Sequence, residues 1–147
     1  MGIAALISWL ITASGGLYLL IIWLIENDAD GRSAVASRLP LPVISGHALL
    51  ATAGLGVWLG YLVTGRRALA WASCAALVLV ALLGLTMVSR WIRVYRAVLP
   101  DGGAIPVDRL AVPAERNFPL FVVLAHGLLG ATTIVLVLLA TIRNYRV

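Results

Sequence analysis

Apolar residues fall into four long blocks, and every charged side chain lies between or beyond them. The blocks are Ile3–Ile25, Leu41–Val63, Ala68–Val88 and Leu120–Ile142. Each is close to the ~20 residues that a hydrocarbon core about 30 Å thick requires. Because backbone amides find no water inside a bilayer, segments of this kind must be helical. The pattern predicts transmembrane helices at about 3–25, 41–63, 68–91 and 120–142.

Composition supports a membrane environment for the whole chain. Of its 147 residues, 62% are hydrophobic and 12% are charged, which is too little polar surface for a soluble globule. We predict an all-α fold: one domain over 1–147, an integral membrane four-helix bundle running up-down-up-down. The first block is read as a retained helix rather than a signal peptide, because Met1–Ile3 carries no basic residue.

The charged residues bear on localisation. All eleven basic residues are arginine, which suggests GC-rich coding, and we predict a bacterial cytoplasmic membrane. The formal charge of +5 is assigned to lipid headgroups and topology rather than to nucleic-acid binding. Termini in the cytoplasm are predicted because the arginines on their side occupy very short segments. A raw arginine count favours the opposite orientation, although those arginines share their side with all six acids.

The second and fourth blocks resemble each other. A shift of 79 residues superimposes Leu39-Pro40-Leu41 on Phe118-Pro119-Leu120, and His47-Ala48-Leu49-Leu50 on His126-Gly127-Leu128-Leu129. The first and third blocks show no such register. The match suggests a repeat of two helix pairs about an axis along the membrane normal.

The two histidines of the protein, His47 and His126, are each the seventh residue of their block. At 1.5 Å per residue, both are expected about 9–10 Å below the same membrane surface. An imidazole in hydrocarbon needs a partner, and ionisable residues there usually mark a functional site. Two neutral imidazoles at one level are what a b-type haem requires as axial ligands. We therefore predict that both histidines bind the metal of haem b.

Small residues on the histidine faces of the second and fourth helices would leave the space that a haem needs. One and two turns along the second helix lie Ala51 and Gly54, and the fourth helix carries Gly130 and Thr133 at the same offsets. These residues are predicted to border a flat macrocycle. Ordinary helix packing is the alternative, since small residues are common where membrane helices meet, as at Gly56 and Gly60.

Arginines near the histidine side could hold haem propionates through bidentate hydrogen bonds, and Arg90 and Arg38 are the first candidates. The alternative is that they simply flank the membrane. The histidines likewise have an alternative role, in hydrogen bonding to hydroxyls, carbonyls or each other. Cys74 is alone, and without Cys-x-x-Cys-His a covalently attached haem is excluded.

With two histidine helices in a four-helix chain, the protein resembles four-helix transmembrane b-type cytochromes. His47 and His126 carry the resemblance, and one histidine pair implies one haem at most. The resemblance implies electron transfer to or from a quinone or a redox partner protein, in a homo-oligomer or a larger membrane complex. Whether the protein is an enzyme is left open. One alternative is a cofactor-free accessory or assembly subunit that docks against a larger membrane complex through Gly56, Gly60 and the connection at 92–117. The other is a quinone- or lipid-binding membrane protein.

Overall fold

The computed structural model describes residues 1–29, 39–96 and 114–143. Within these ranges the chain is all-helical, with α1 (Gly2–Ala29), α2 (Leu41–Thr64), α3 (Arg67–Arg96), α4 (Leu120–Arg143) and a short 3-10 helix, Ala114–Asn117. All four helices are long and apolar enough to cross a membrane, with mean hydropathy from 1.5 to 2.4. The predicted four-helix architecture is confirmed, although α1 and α3 extend beyond their apolar blocks by about one turn or more.

Prolines and a glycine define where the helices begin and end. Pro40 precedes α2 in an extended conformation, and its carbonyl accepts hydrogen bonds from Val43 and Ile44. Pro119 does the same at the start of α4. Gly65 ends α2 with φ 68°, a left-handed conformation that glycine adopts without steric cost, and its N–H donates to Tyr61. Helix α3 begins two residues later, so the connection between α2 and α3 is a tight turn.

The four helices surround a common centre. Helix α2 packs most extensively along α3 and α1 along α4, while α3 with α4 and α1 with α2 close the ring. Within the described residues, α1 makes no close backbone approach to α3, and α2 makes none to α4. Helices α2 and α4, which carry the histidines, are therefore diagonal partners.

Two groups of buried apolar side chains hold the bundle together. The inner cluster, as we name it, lies towards the chain termini and consists of Ala5, Trp9, Trp58, Tyr61, Ala70, Leu77, Val137 and Ala140. The outer cluster lies at the other end and consists of Trp23, Leu39, Ile44, Trp91, Phe118 and Val123. On each helix about four turns separate the two clusters, and the histidines fall in this interval.

The buried positions repeat between the two halves of the chain. On α2 and α4 the repeat follows the shift of 79 residues and pairs Leu39 with Phe118, Ile44 with Val123, Gly54 with Thr133, Trp58 with Val137, and Tyr61 with Ala140. On α1 and α3 it follows a shift of 68 residues and pairs Ala5 with Ser73, Trp9 with Leu77, and Trp23 with Trp91. The α1–α2 and α3–α4 pairs thus bury equivalent positions around an approximate two-fold axis.

Substitutions at Gly54 test how closely α2 packs against α1 and α3. A β-carbon at Gly54 would lie 3.1 Å from the Ala76 β-carbon and 3.2 Å from the Trp9 ring, whereas one at Gly56 would meet nothing within 4 Å. We expect Gly54→Leu to lower the free energy of unfolding by about 1–3 kcal/mol through overpacking. Gly56→Leu should change it by less than about 0.5 kcal/mol. Circular dichroism during unfolding in mixed micelles measures both, and equal losses would contradict the packing described.

Candidate functional site

The two histidine side chains meet at the centre of the bundle. His47 comes from α2 and His126 from the diagonally opposite α4, and their ring centroids lie 6.2 Å apart with the planes tilted by 58°. Both side chains are half-buried. The structure therefore brings together two residues that are 79 positions apart in the sequence, at one level between the inner and outer clusters.

Each histidine ring is hydrogen-bonded to the backbone of a neighbouring helix. The Nδ1 atom of His47 lies 2.9 Å from the carbonyl oxygen of Val80 on α3. The Nδ1 atom of His126 lies 2.9 Å from the carbonyl oxygen of Thr12 on α1. A carbonyl only accepts, so Nδ1 must be the protonated donor in both rings. In the neutral ring, Nε2 is then an unprotonated acceptor with an available lone pair.

A glycine lies against each ring. A β-carbon at Gly16 on α1 would lie 2.8 Å from Cε1 of His126, and one at Gly84 on α3 would lie 3.2 Å from Cε1 of His47. The first distance is shorter than β-carbon contacts in real proteins, and the second is unusually tight. Both rings therefore occupy space that a side chain on the neighbouring helix would take.

The small residues predicted to border a cofactor lie deeper in the bundle, where protein side chains fill part of the space. Gly54 is buried against Trp9 and Ala76. Gly130 is half-buried, and a β-carbon there would lie 3.8 Å from the Thr12 methyl group. Ala51 is also half-buried on α2. Their contact with a cofactor stays a prediction.

Of the two arginines predicted to bind haem propionates, only Arg90 lies within the described residues. Arg90 lies on an exposed part of α3, six residues beyond Gly84 and next to the buried Trp91. Arg38 lies outside the described residues. Most of the 92–117 connection does as well, so its predicted docking role is not addressed by the described residues.

A cluster of hydroxyl groups lies beside His126, on the side that faces the inner cluster. The Ser8 hydroxyl is 2.8 Å from the Thr133 hydroxyl, which is 3.2 Å from that of Thr12. Thr12 also donates to the Ser8 carbonyl, and Thr133 to the carbonyl of Leu129. The cluster joins α1 to α4 next to the carbonyl that binds His126. It thereby stabilises the helix that positions this histidine.

Sequence reasoning identified the histidines but missed the residues of α1 and α3 that contact them. Thr12 and Val80 act through backbone carbonyls, for which side-chain chemistry gives no signal. Gly16 and Gly84 could have been found, because a shift of 68 residues superimposes Gly16-Leu17 on Gly84-Leu85 and Trp23 on Trp91. The two helix pairs need different shifts because the third connection is longer than the first.

Comparison with known proteins gives no relative from which to assign a function: no family model, curated protein or solved structure matches this chain. Among the described residues, no three histidine, cysteine or acidic side chains come together as a metal-binding group. The histidine pair is the feature from which we infer a function.

The hydroxyl cluster gives a prediction with a matched control. Thr133→Val keeps the side-chain shape but removes the hydrogen bond that the Thr133 hydroxyl accepts from Ser8 on α1, and we expect it to lower the free energy of unfolding by about 0.5–1.5 kcal/mol. The Thr132 hydroxyl is exposed and donates only to Leu128 of its own helix. Thr132→Val should therefore be close to neutral in the same denaturation measurement. A Thr133→Val variant as stable as Thr132→Val would show that the cluster does not tie α1 to α4.

Proposed function

We propose that this chain is an integral membrane protein that transfers electrons through one haem b, with His47 and His126 as the axial ligands. In this proposal the four helices cross the membrane up-down-up-down, with both termini on the cytoplasmic side of a bacterial cytoplasmic membrane. Bound haem would supply a one-electron iron couple. The protein would supply the two ligands and an environment of low dielectric constant.

One observation carries the proposal: two imidazoles from diagonal helices converge while each donates its Nδ1 proton to a helix carbonyl. Metal-binding histidines almost always donate their second nitrogen in this way, which fixes the tautomer and the ring orientation. A histidine that served only as a hydrogen-bond donor could use either nitrogen. Here both rings use the same one, and both keep Nε2 as the available ligand.

The spacing also fits a shared metal. An imidazole nitrogen lies about 1 Å from its ring centroid and a bound metal about 2 Å further on, so two rings facing one metal would have centroids about 6 Å apart. The observed separation is 6.2 Å. Haem would need two ligands from the protein, and His47 and His126 would supply them. Gly16 and Gly84 keep bulky side chains away from the rings at this level.

The position of the pair along the helices suggests where electrons would enter and leave. Both histidines lie on the side of the outer cluster, seven residues into α2 and α4. A quinone or a redox partner protein would therefore be expected to approach from that side, about 10 Å from the site. One centre near one surface suits exchange on one side of the membrane.

A second function is favoured by the hydrogen bonds themselves. His47 joins α2 to α3 and His126 joins α4 to α1, so both rings would be useful as interhelical links without any cofactor. In that case the protein would be an accessory or assembly subunit that docks against a larger membrane complex. This alternative expects stability, rather than a redox centre, to depend on the histidines.

Absorption spectroscopy separates the two functions. We expect protein purified in mild detergent from haem-replete cells to show a sharp b-type band on reduction with dithionite. His47→Ala and His126→Ala should each abolish that band, because each removes one axial ligand. Met87→Leu should retain it, since Met87 is a partly buried residue packed against the outer cluster.

A folded, colourless wild-type protein from the same cells would overturn the haem proposal and favour the accessory role. Circular dichroism of all four proteins, recorded beside the spectra, distinguishes loss of haem from loss of fold.

A further inference from the structure

The same short unit occurs on α1 and on α3, each time in contact with a histidine of the other helix pair. On α1 it consists of the Thr12 carbonyl and Gly16, and on α3 of the Val80 carbonyl and Gly84. In both cases the glycine follows the accepting residue by four positions. The two units are 68 residues apart, the shift that also relates the buried residues of these helices.

The spacing of four has a geometric reason. In an α-helix the carbonyl of one residue accepts the N–H of the fourth residue after it, so Gly16 and Gly84 lie one turn above the accepting carbonyls. A carbonyl oxygen has two lone pairs and can accept a second hydrogen bond from outside the helix. The imidazole that donates this bond must lie over the next turn. A side chain there would block it.

The β-carbon distances show how close this approach is. At Gly16 a β-carbon would lie 2.8 Å from Cε1, 3.5 Å from Nδ1 and 3.6 Å from Nε2 of His126. At Gly84 it would lie 3.2 Å from Cε1 and 3.6 Å from Nδ1 of His47. Cε1 lies between the two ring nitrogens, so a methyl group at either glycine would displace the edge that carries both of them.

We infer that Gly16 and Gly84 are positioning residues that hold His126 and His47 in the Nδ1–H form and leave both Nε2 atoms as ligands. The hydrogen-bonded arrangement is a property of the protein alone. Its consequence for haem rests on the proposed function. The neutral imidazole is held in one tautomer by the carbonyl, and the glycine gives the ring access to that carbonyl.

Two other glycines serve as controls because each adjoins a histidine in sequence without lying under its ring. A β-carbon at Gly127, next to His126, would meet nothing within 4 Å. One at Gly46, next to His47, would make an ordinary 3.6 Å contact with Leu83. Gly127→Ala therefore controls for Gly16→Ala, and Gly46→Ala for Gly84→Ala.

The first test needs no haem. Nitrogen NMR of haem-free protein labelled with ¹⁵N-histidine, in detergent micelles at neutral pH, reports which ring nitrogen is protonated. Both histidines are expected in the Nδ1–H form, with the resonances assigned from His47→Phe and His126→Phe. Gly16→Ala should alter the ring signals of His126 alone, and Gly84→Ala those of His47 alone. The two control variants should alter neither.

The second test uses haem-loaded protein and carbon monoxide, which binds ferrous haem only where an axial position is open. We expect Gly16→Ala and Gly84→Ala to raise the apparent affinity for carbon monoxide about tenfold or more, because that affinity scales with the fraction of protein in the open state. The matched controls Gly127→Ala and Gly46→Ala should leave the affinity for carbon monoxide unchanged, because neither lies under a histidine ring.

The outcomes separate the inference from the proposed function. Nδ1–H histidines with selective glycine effects, in a protein that binds no haem, would support the positioning role and overturn the haem proposal. An Nε2–H form of either histidine in the wild-type protein would overturn the inference even if haem binds. Because the wild-type spectrum alone gives this result, the inference stays testable if a glycine variant fails to fold.

Discussion

The hydrogen bond between each histidine Nδ1 and a helix carbonyl is the interaction on which the rest of the site depends. An imidazole inside an apolar bundle is costly unless its N–H donor is hydrogen-bonded. The partner is a carbonyl that already accepts a helical hydrogen bond. Using its second lone pair requires close approach of the ring to the neighbouring helix. That approach in turn requires glycine at Gly16 and Gly84.

The two apolar clusters set the helix positions that this interaction needs. Trp9 and Trp58 are nearly or fully buried in the inner cluster, and Trp23 and Trp91 are buried in the outer one. The tryptophan rings of the two clusters lie on either side of the histidines along the helix axes. They set the distance between the helices without filling the space around the histidines. Small polar groups occupy the interior, as at Ser73 and Thr133, while Phe121 is 81% exposed. Large apolar side chains on the outer surface are compatible with a bundle that lies in a membrane.

The sequence predicted the helices well because long apolar helices have a strong and simple signal. Uninterrupted apolar blocks located all four. Counting along the helices predicted one level for His47 and His126, and the structure brings their rings together there. The sequence did not indicate that these rings would bond to Thr12 and Val80, because backbone carbonyls are the same at every residue. The role of Gly54 was equally hidden, since whether a glycine receives a cofactor or the Trp9 ring depends on how the helices are rotated.

The approximate two-fold repeat has a consequence for how such a site arises. His47 is held by α3 and His126 by α1, so each half of the chain supplies one imidazole and the carbonyl and glycine that hold the other. Neither half contains both a histidine and the carbonyl and glycine that hold it. This reciprocal arrangement is that of an isologous dimer interface, in which residue i contacts j and residue j contacts i. Either helix pair alone lacks the partner groups of its own histidine, so the site exists only where the two pairs meet.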